Sequence, residues 1–164
     1  MSWKQAYLET RILSADPTEL ISILYEAALE SVAAAREHLK RGEIRERSNA
    51  VTKAVSIVTE LSSSLDHTRG GEVSRNLADL YHYISGRLFE ANLKQTDGPL
   101  AEAQKLLHQL AEGWRAVREQ AATVDANSAA RTADPSPVEP PSYVPIYDAA
   151  SYQDGAGMGQ GWSA

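Results

Sequence analysis

The sequence predicts an all-α chain: an antiparallel four-helix bundle with an N-terminal arm and a disordered C-terminal tail. Three observations carry this. Four segments repeat apolar residues at helical spacing. Turn-forming residues interrupt the pattern at Gly42, Gly70-Gly71 and Asp97-Gly98-Pro99, leaving only short connections, which place consecutive helices side by side and antiparallel. No window alternates apolar and polar residues between closely spaced turn signals, as strands would. The divisions fall at 1–15 for the arm, 16–124 for the bundle and 125–164 for the tail.

The first helix is expected over 17–41. Asp16 is a strong N-cap, Pro17 suits the first helical position, and Glu19 completes an arrangement like a capping box. Leu20, Leu24, Ala28, Val32, Ala35 and Leu39 form a stripe flanked by Ile21, Tyr25 and Leu29, and Gly42 stops the helix. The second helix, 43–66, carries Ile44, Val51, Val58 and Leu65 at seven-residue spacing, with Ala54 and Leu61 between them. After a connection at 67–71, the third helix, 72–95, aligns Val73, Leu77, Leu80, Ile84, Leu88 and Ala91. Asp97 is positioned to cap a fourth helix, 98–124, where Leu100, Leu107, Trp114 and Ala121 interleave with Ala103, Leu110, Val117 and Val124. Each large apolar side chain fully buried contributes about 1.5–3 kcal/mol, so such stripes suffice to drive packing. Because Asp16-Pro17 begins the first helix, residues 1–14 are expected to be extended or only locally ordered.

Composition narrows the function. Of the net charge of −6, residues from 125 onward hold one Arg against five acids. The body, with fifteen basic and seventeen acidic residues, lacks the clustered positive field that nucleic-acid binding needs. No apolar run is long enough to enter or span a bilayer, and the N-terminus does not resemble a secretory signal. The absence of cysteine suits a reducing, cytoplasmic setting and removes thiolate metal sites. Residues 125–164 contain five of the seven prolines and no Leu, Phe or Lys. A segment so poor in apolar surface is expected to stay disordered and to be dispensable for folding and for any binding by the bundle. Tyr143-Val144-Pro145-Ile146-Tyr147 and Trp162 are its only adhesive elements, and the alternative is that they form a short binding motif.

Catalytic constellations are missing, and the chain is expected not to be an enzyme and to need no cofactor or metal. A di-metal carboxylate bundle requires two Glu-x-x-His motifs; the nearest approach is Asp79-x-x-His82, once. A phosphorylated His82 would face repulsion from Asp79 one turn away. No Ser sits in a nucleophile elbow, and Gly70-Gly71 lacks the following Lys-Ser/Thr of a phosphate cradle.

What remains is an ordered set of residues. Asn76-Leu77, Leu80-Tyr81-x-Tyr83, Arg87-Leu88, Ala91-Asn92, Leu100-x-Glu102 and Trp114 resemble the bacterial flagellin-export chaperone family, the FliS type. Upstream, Tyr7, Ile12 and Ser14-Ala15-Asp16-Pro17-x-Glu19-Leu20-Ile21-x-x-Leu24-Tyr25 are similar to that family's N-terminal signature, and Ser64-Leu65-Asp66 and Gly70-Gly71-Glu72 fit between. The resemblance covers roughly residues 7–118; His67-Thr68-Arg69 departs from the family's usual loop, and the tail inherits nothing from it.

The resemblance implies a cytoplasmic chaperone that binds the C-terminal segment of newly made flagellin, prevents premature polymerisation and delivers it to a component of the flagellar type III export gate. The implied flagellin-binding residues are Tyr7, Ile12, Tyr25, Tyr81, Arg87, Leu88, Ala91, Asn92 and Trp114. Tyr7 and Ile12 match an arm that folds over a hydrophobic pocket and yields to the client; the alternative is a permanent plug. On periodicity alone Leu88, Ala91 and Trp114 read as core, and Tyr25 reads as a core aromatic with its hydroxyl at the rim. Asn92 suits either a cap within the bundle or a bond to a client helix. A monomer is expected, with exchange of arms between copies as the route to oligomers. The competing function is a four-helix adaptor or chaperone for another secreted client or a regulator.

Overall fold

Asp16 and Gly42 bracket the first long helix through local chemistry alone. The Asp16 carboxylate accepts a bond from the Glu19 amide at 2.8 Å and from the Thr18 hydroxyl at 2.6 Å. Gly42 ends the helix at φ 70°, in the left-handed region, with bonds back to the carbonyl groups of His38 and Leu39. These observations come from a computed structural model that describes residues 3–131 and 146–147. Its helices are α1 (Trp3–Ser14), α2 (Pro17–Arg41), α3 (Ile44–Ser63), α4 (His67–Lys94) and α5 (Asp97–Arg131). Replacing Asp16 with Ala is expected to cost about 0.5–2 kcal/mol, read as a lower urea midpoint at unchanged slope.

The packed neighbours are α2 with α3 and α5, and α4 with α3 and α5, which closes an up-down-up-down ring of four helices. The core runs along its axis through Ile21, Tyr25, Ala28, Val32 and Ala35 of α2 and Val51, Ala54, Val58 and Leu61 of α3. Tyr81, Ile84, Leu88 and Ala91 of α4 and Leu100, Ala103, Leu107 and Trp114 of α5 complete it. In its first two turns the α2 stripe is rotated by one position from its expected centre, while Ala28, Val32 and Ala35 face the axis as expected. Ile21 and Tyr25 point to the axis, whereas Leu20, Leu24 and Leu39 are half-buried at its flank. Ile44, Val73 and Val124, expected on inward stripes, are exposed.

Four further differences have local causes. The N-terminal arm is the helix α1, where the sequence predicts an extended or only locally ordered segment. Tyr7 and Ile12 are therefore about 7.5 Å apart along its axis, where an extended chain would separate them by about 17 Å. α3 stops at Ser63, leaving Leu65 in the connection to α4. The segment 67–70 is a helical turn whose Thr68 and Arg69 amides are capped by Asp66, and it is set off from the rest of α4 by Gly71 at φ 52°. Gly70 is held there by space as well, because a Cβ would lie 2.7 Å from that of Ser74. Asp97 does not act as the expected cap: its two carboxylate oxygens accept from Nε and Nη2 of Arg36, each at 2.7 Å.

At the other end of the sequence α5 continues to Arg131, so 125–131 are helical rather than disordered. Ile146 and Tyr147 pack onto the bundle. The expectation of disorder elsewhere in the tail concerns 132–145 and 148–164, which lie outside the described residues. No helix among the described residues is long and apolar enough to cross a membrane.

Candidate binding surfaces

Three of the residues singled out from the sequence meet at one end of the bundle. Tyr25 of α2 and Tyr81 of α4 are fully buried with their hydroxyls 2.5 Å apart, and Trp114 of α5 closes the side. Into this space comes Tyr147, whose hydroxyl bonds those of Tyr25, at 3.0 Å, and Tyr81. Its ring meets the Trp114 ring edge to face, with centroids 4.9 Å apart. The Trp114 indole N–H donates to the Thr18 carbonyl at 3.2 Å, tying α5 to the start of α2. The backbone joins in: the Asp66 amide donates to the Ile146 carbonyl at 2.8 Å, and Leu65 and Tyr147 form an isolated antiparallel bridge.

Burial pushes the Tyr25 and Tyr81 phenols above their ordinary range, and for Tyr81 the neighbouring phenols add to the effect. A raised folded-state value stabilises the fold fully below the unfolded phenol range near 10, and that contribution is lost as pH rises beyond it. Stability is therefore expected to fall above about pH 10. Absorbance of tyrosinate should show some phenols ionising only in step with loss of helical circular dichroism.

The opposite end presents a groove of about 600 Å³ between the start of α3 and the end of α4. Ile44, Phe89 and Leu93 line it and are 57%, 58% and 84% exposed. Its floor includes Arg47, only 3% exposed, which donates to Asn92 Oδ1 at 3.2 Å and, at 3.4 and 3.5 Å, to the Asn92 carbonyl and Gln95 Oε1. Ser48 also donates to Asn92 Oδ1, at 3.1 Å. Asn92 thus braces α4 against α3 while bordering the groove. Arg47 was not singled out from the sequence, although it stands four residues before Val51 on the same helical face. Buried charge without an ion-pair partner is rare, and these neutral oxygens satisfy its N–H groups.

The remaining candidates are elsewhere. Arg87 binds Glu102 of α5, with Nε at 2.6 Å, and Glu90 one turn along α4. Glu102 also accepts from the Tyr83 hydroxyl at 2.6 Å, so this network clamps α4 to α5. Leu88 and Ala91 are fully buried in the core. Ile12, on α1, is 46% exposed, and α1 is tied to α2 by Arg11, which reaches Glu19 at 3.4 Å and Glu26 at 3.0 Å. The Tyr7 side chain lies outside the described residues.

Hydrogen bonding from Thr18 holds the Asp16 carboxyl below its usual range; the Arg36 bond does the same for Asp97, and the Tyr83 bond leads for Glu102. Depressed carboxyls contribute stability that is complete above their unfolded range, about 4, and is lost as pH falls through the lower folded values. Acid unfolding below pH 4 is expected to be shallower in Asp97→Asn, which no longer carries that linkage. Melting curves across pH 2–6 would check it.

The family model described as flagellar protein FliS matches residues 2–121. A flagellar secretion chaperone FliS of Salmonella typhimurium is 33% identical over 121 residues, which are 73% of this chain and 90% of the relative. The flagellar secretion chaperone FliSB of Pseudomonas aeruginosa is 37% identical over 112 residues, 68% of this chain and 89% of the relative. A Bacillus subtilis flagellar secretion chaperone FliS is 28% identical over 110 residues, 67% and 81% of the two chains. The family-model match covers the residues of α2 to α5 that build both the aromatic end and the groove, and leaves Ile146-Tyr147 beyond its span.

Proposed function

Because the chain belongs to the FliS family of flagellar secretion chaperones, we propose that it binds the C-terminal segment of newly made flagellin in the bacterial cytoplasm. It thereby prevents premature polymerisation and hands the client to a component of the flagellar type III export gate. The observation that carries this reading is the exposed groove of Ile44, Phe89 and Leu93 on a bundle of that family. Three large apolar side chains held in solvent suit the apolar face of an amphipathic client helix, over a base where Arg47 is already bonded to Asn92 and Gln95. A client that folds on binding must offset its ordering entropy over a long contact, of which this groove, one to two turns of α3 and α4 in length, would supply one part.

In this reading Asn92 and Arg47 set the groove's polar edge, and Tyr25, Tyr81 and Trp114 form a second contact region. Arg87, Leu88 and Ala91 shape the surface from beneath rather than touch the client. Tyr7 and Ile12 lie on the arm that the client displaces, a helix held through Arg11 and not a strand laid along a groove. The reading is tested by adding the chain to monomeric flagellin and following filament growth by light scattering. Near-stoichiometric chain is expected to suppress growth. Flagellin polymerising at an unchanged rate with the chain in excess would reject the proposal. Delivery is tested separately, by asking whether the chain–flagellin complex binds the cytoplasmic domain of the export gate.

A further inference from the structure

The seat of Tyr147 has the makings of a binding site. Its walls come from three helices, through Tyr25, Tyr81 and Trp114, and its rim supplies the Asp66 amide as a donor to an extended backbone. The occupant contributes two residues, Ile146 and Tyr147, from beyond the segment matched by the family. The Tyr25 and Tyr81 hydroxyls bond each other at 2.5 Å, which uses one of their two hydrogens, and both also bond the Tyr147 hydroxyl, so any occupant that replaces Tyr147 must bring a hydroxyl or another acceptor. Exchange of Tyr147 for another phenol-bearing guest therefore orphans no buried hydroxyl, and the Asp66 amide at the rim can pair with the backbone of either.

We propose that this cleft is a docking site for an extended, tyrosine-bearing client segment, and that Ile146-Tyr147 is its internal ligand, competing with the client. This rests on the flagellin-binding reading above. Specificity follows from the chemistry of the cleft. A phenol gains the edge-to-face contact with Trp114 and the shared hydroxyl cluster, while the backbone is held by one ladder bond at Asp66. Tethering supplies the internal ligand at an effective concentration of order millimolar, so a client sees only the fraction of cleft that is empty.

The test uses the full chain and a flagellin C-terminal fragment. In the free chain, nuclear magnetic resonance should show a cross-peak between the Trp114 and Tyr147 rings; saturating fragment is expected to abolish it. Replacing the internal ligand, as I146A/Y147A, is expected to tighten fragment binding about tenfold if the cleft is some nine-tenths occupied in the free chain. A synthetic peptide of residues 143–150 should bind that variant and compete with the fragment. A ring contact that persists with fragment bound would overturn the proposal. So would unchanged or weaker binding by a variant whose helical circular dichroism is intact. If the variant does not fold, the cross-peak in the unaltered chain decides. Failure of the unaltered chain and of the variant to bind any fragment would instead reject the flagellin-binding reading, and the competition with it. The 143–150 peptide would then report only whether the cleft exchanges its occupant.

Discussion

Leu88→Ala is expected to lower stability by about 2–5 kcal/mol, the range for truncating a fully buried leucine. The resemblance to flagellin chaperones places Leu88 among client-binding residues, whereas the packing places it on the bundle axis with Ile84 and Ala91. The two roles predict different experiments. A core leucine removed leaves a cavity whose lining loses dispersion contacts, so the urea midpoint falls while the affinity of the remaining folded molecules for flagellin changes little. A client contact removed would leave the midpoint in place and weaken binding. Urea unfolding followed by circular dichroism, paired with calorimetry at a temperature where the variant is folded, separates them. A midpoint within error of the parent would show that Leu88 does not carry the core.

The second large effect is the converse. F89D/L93D is expected to weaken binding of the flagellin C-terminal segment at least tenfold while leaving stability nearly unchanged. Both side chains are more exposed than buried, so their replacement removes little that folding had taken from water, and exposed substitutions of this kind usually shift stability by under about 0.5 kcal/mol. Against an apolar client face, however, each aspartate must lose hydration without gaining a partner. A tenfold loss corresponds to about 1.4 kcal/mol, well within what two unpaired carboxylates at an apolar contact cost. Helical circular dichroism together with a binding isotherm checks both halves. Unchanged affinity would move the client-binding surface away from the α3–α4 groove.

What could be read from the sequence was what local chemistry dictates. The Asp16-Pro17 start, the Gly42 stop and the Gly70-Gly71 break depend on a few adjacent residues, and each is where the fold has it, with a helical turn added before Gly71. The heptads on α3 and α5 placed Val51, Ala54, Val58, Leu61, Leu100, Ala103 and Leu107 in the core for a related reason, a seven-residue repeat favouring one face, although Ile44 and Val124 at the ends of those repeats are exposed. On α2 two adjacent stripes compete. Leu20 and Leu24 match helical period as well as Ile21 and Tyr25 do, and only the neighbours α3 and α5 decide between them. α1 escaped notice because the cap at Asp16 marks where α2 begins and says nothing of a separate helix before it.

Arg47 and the pair Ile146-Tyr147 escaped the sequence for different reasons. Arg47 occupies an inward position on α3, but a charged residue there reads as solvated until Asn92 and Gln95 of a different helix end supply its acceptors. Ile146-Tyr147 is surrounded by proline and small polar residues, so any average over the segment predicts disorder. Docking by two residues depends on a cleft built from α2, α4 and α5, which no local window contains. Composition predicts that residues beyond 125 are dispensable for folding and for holding flagellin; the docking of this short piece leads instead to the proposal that its removal changes client affinity.

The central claim is that this bundle holds the C-terminal segment of flagellin, and titration calorimetry with monomeric flagellin tests it most directly. The expected result is saturable binding that vanishes when flagellin lacks its C-terminal segment, with a negative heat-capacity change from burial of apolar surface. No heat of binding at any temperature, or equal affinity for flagellin without that segment, would contradict the account.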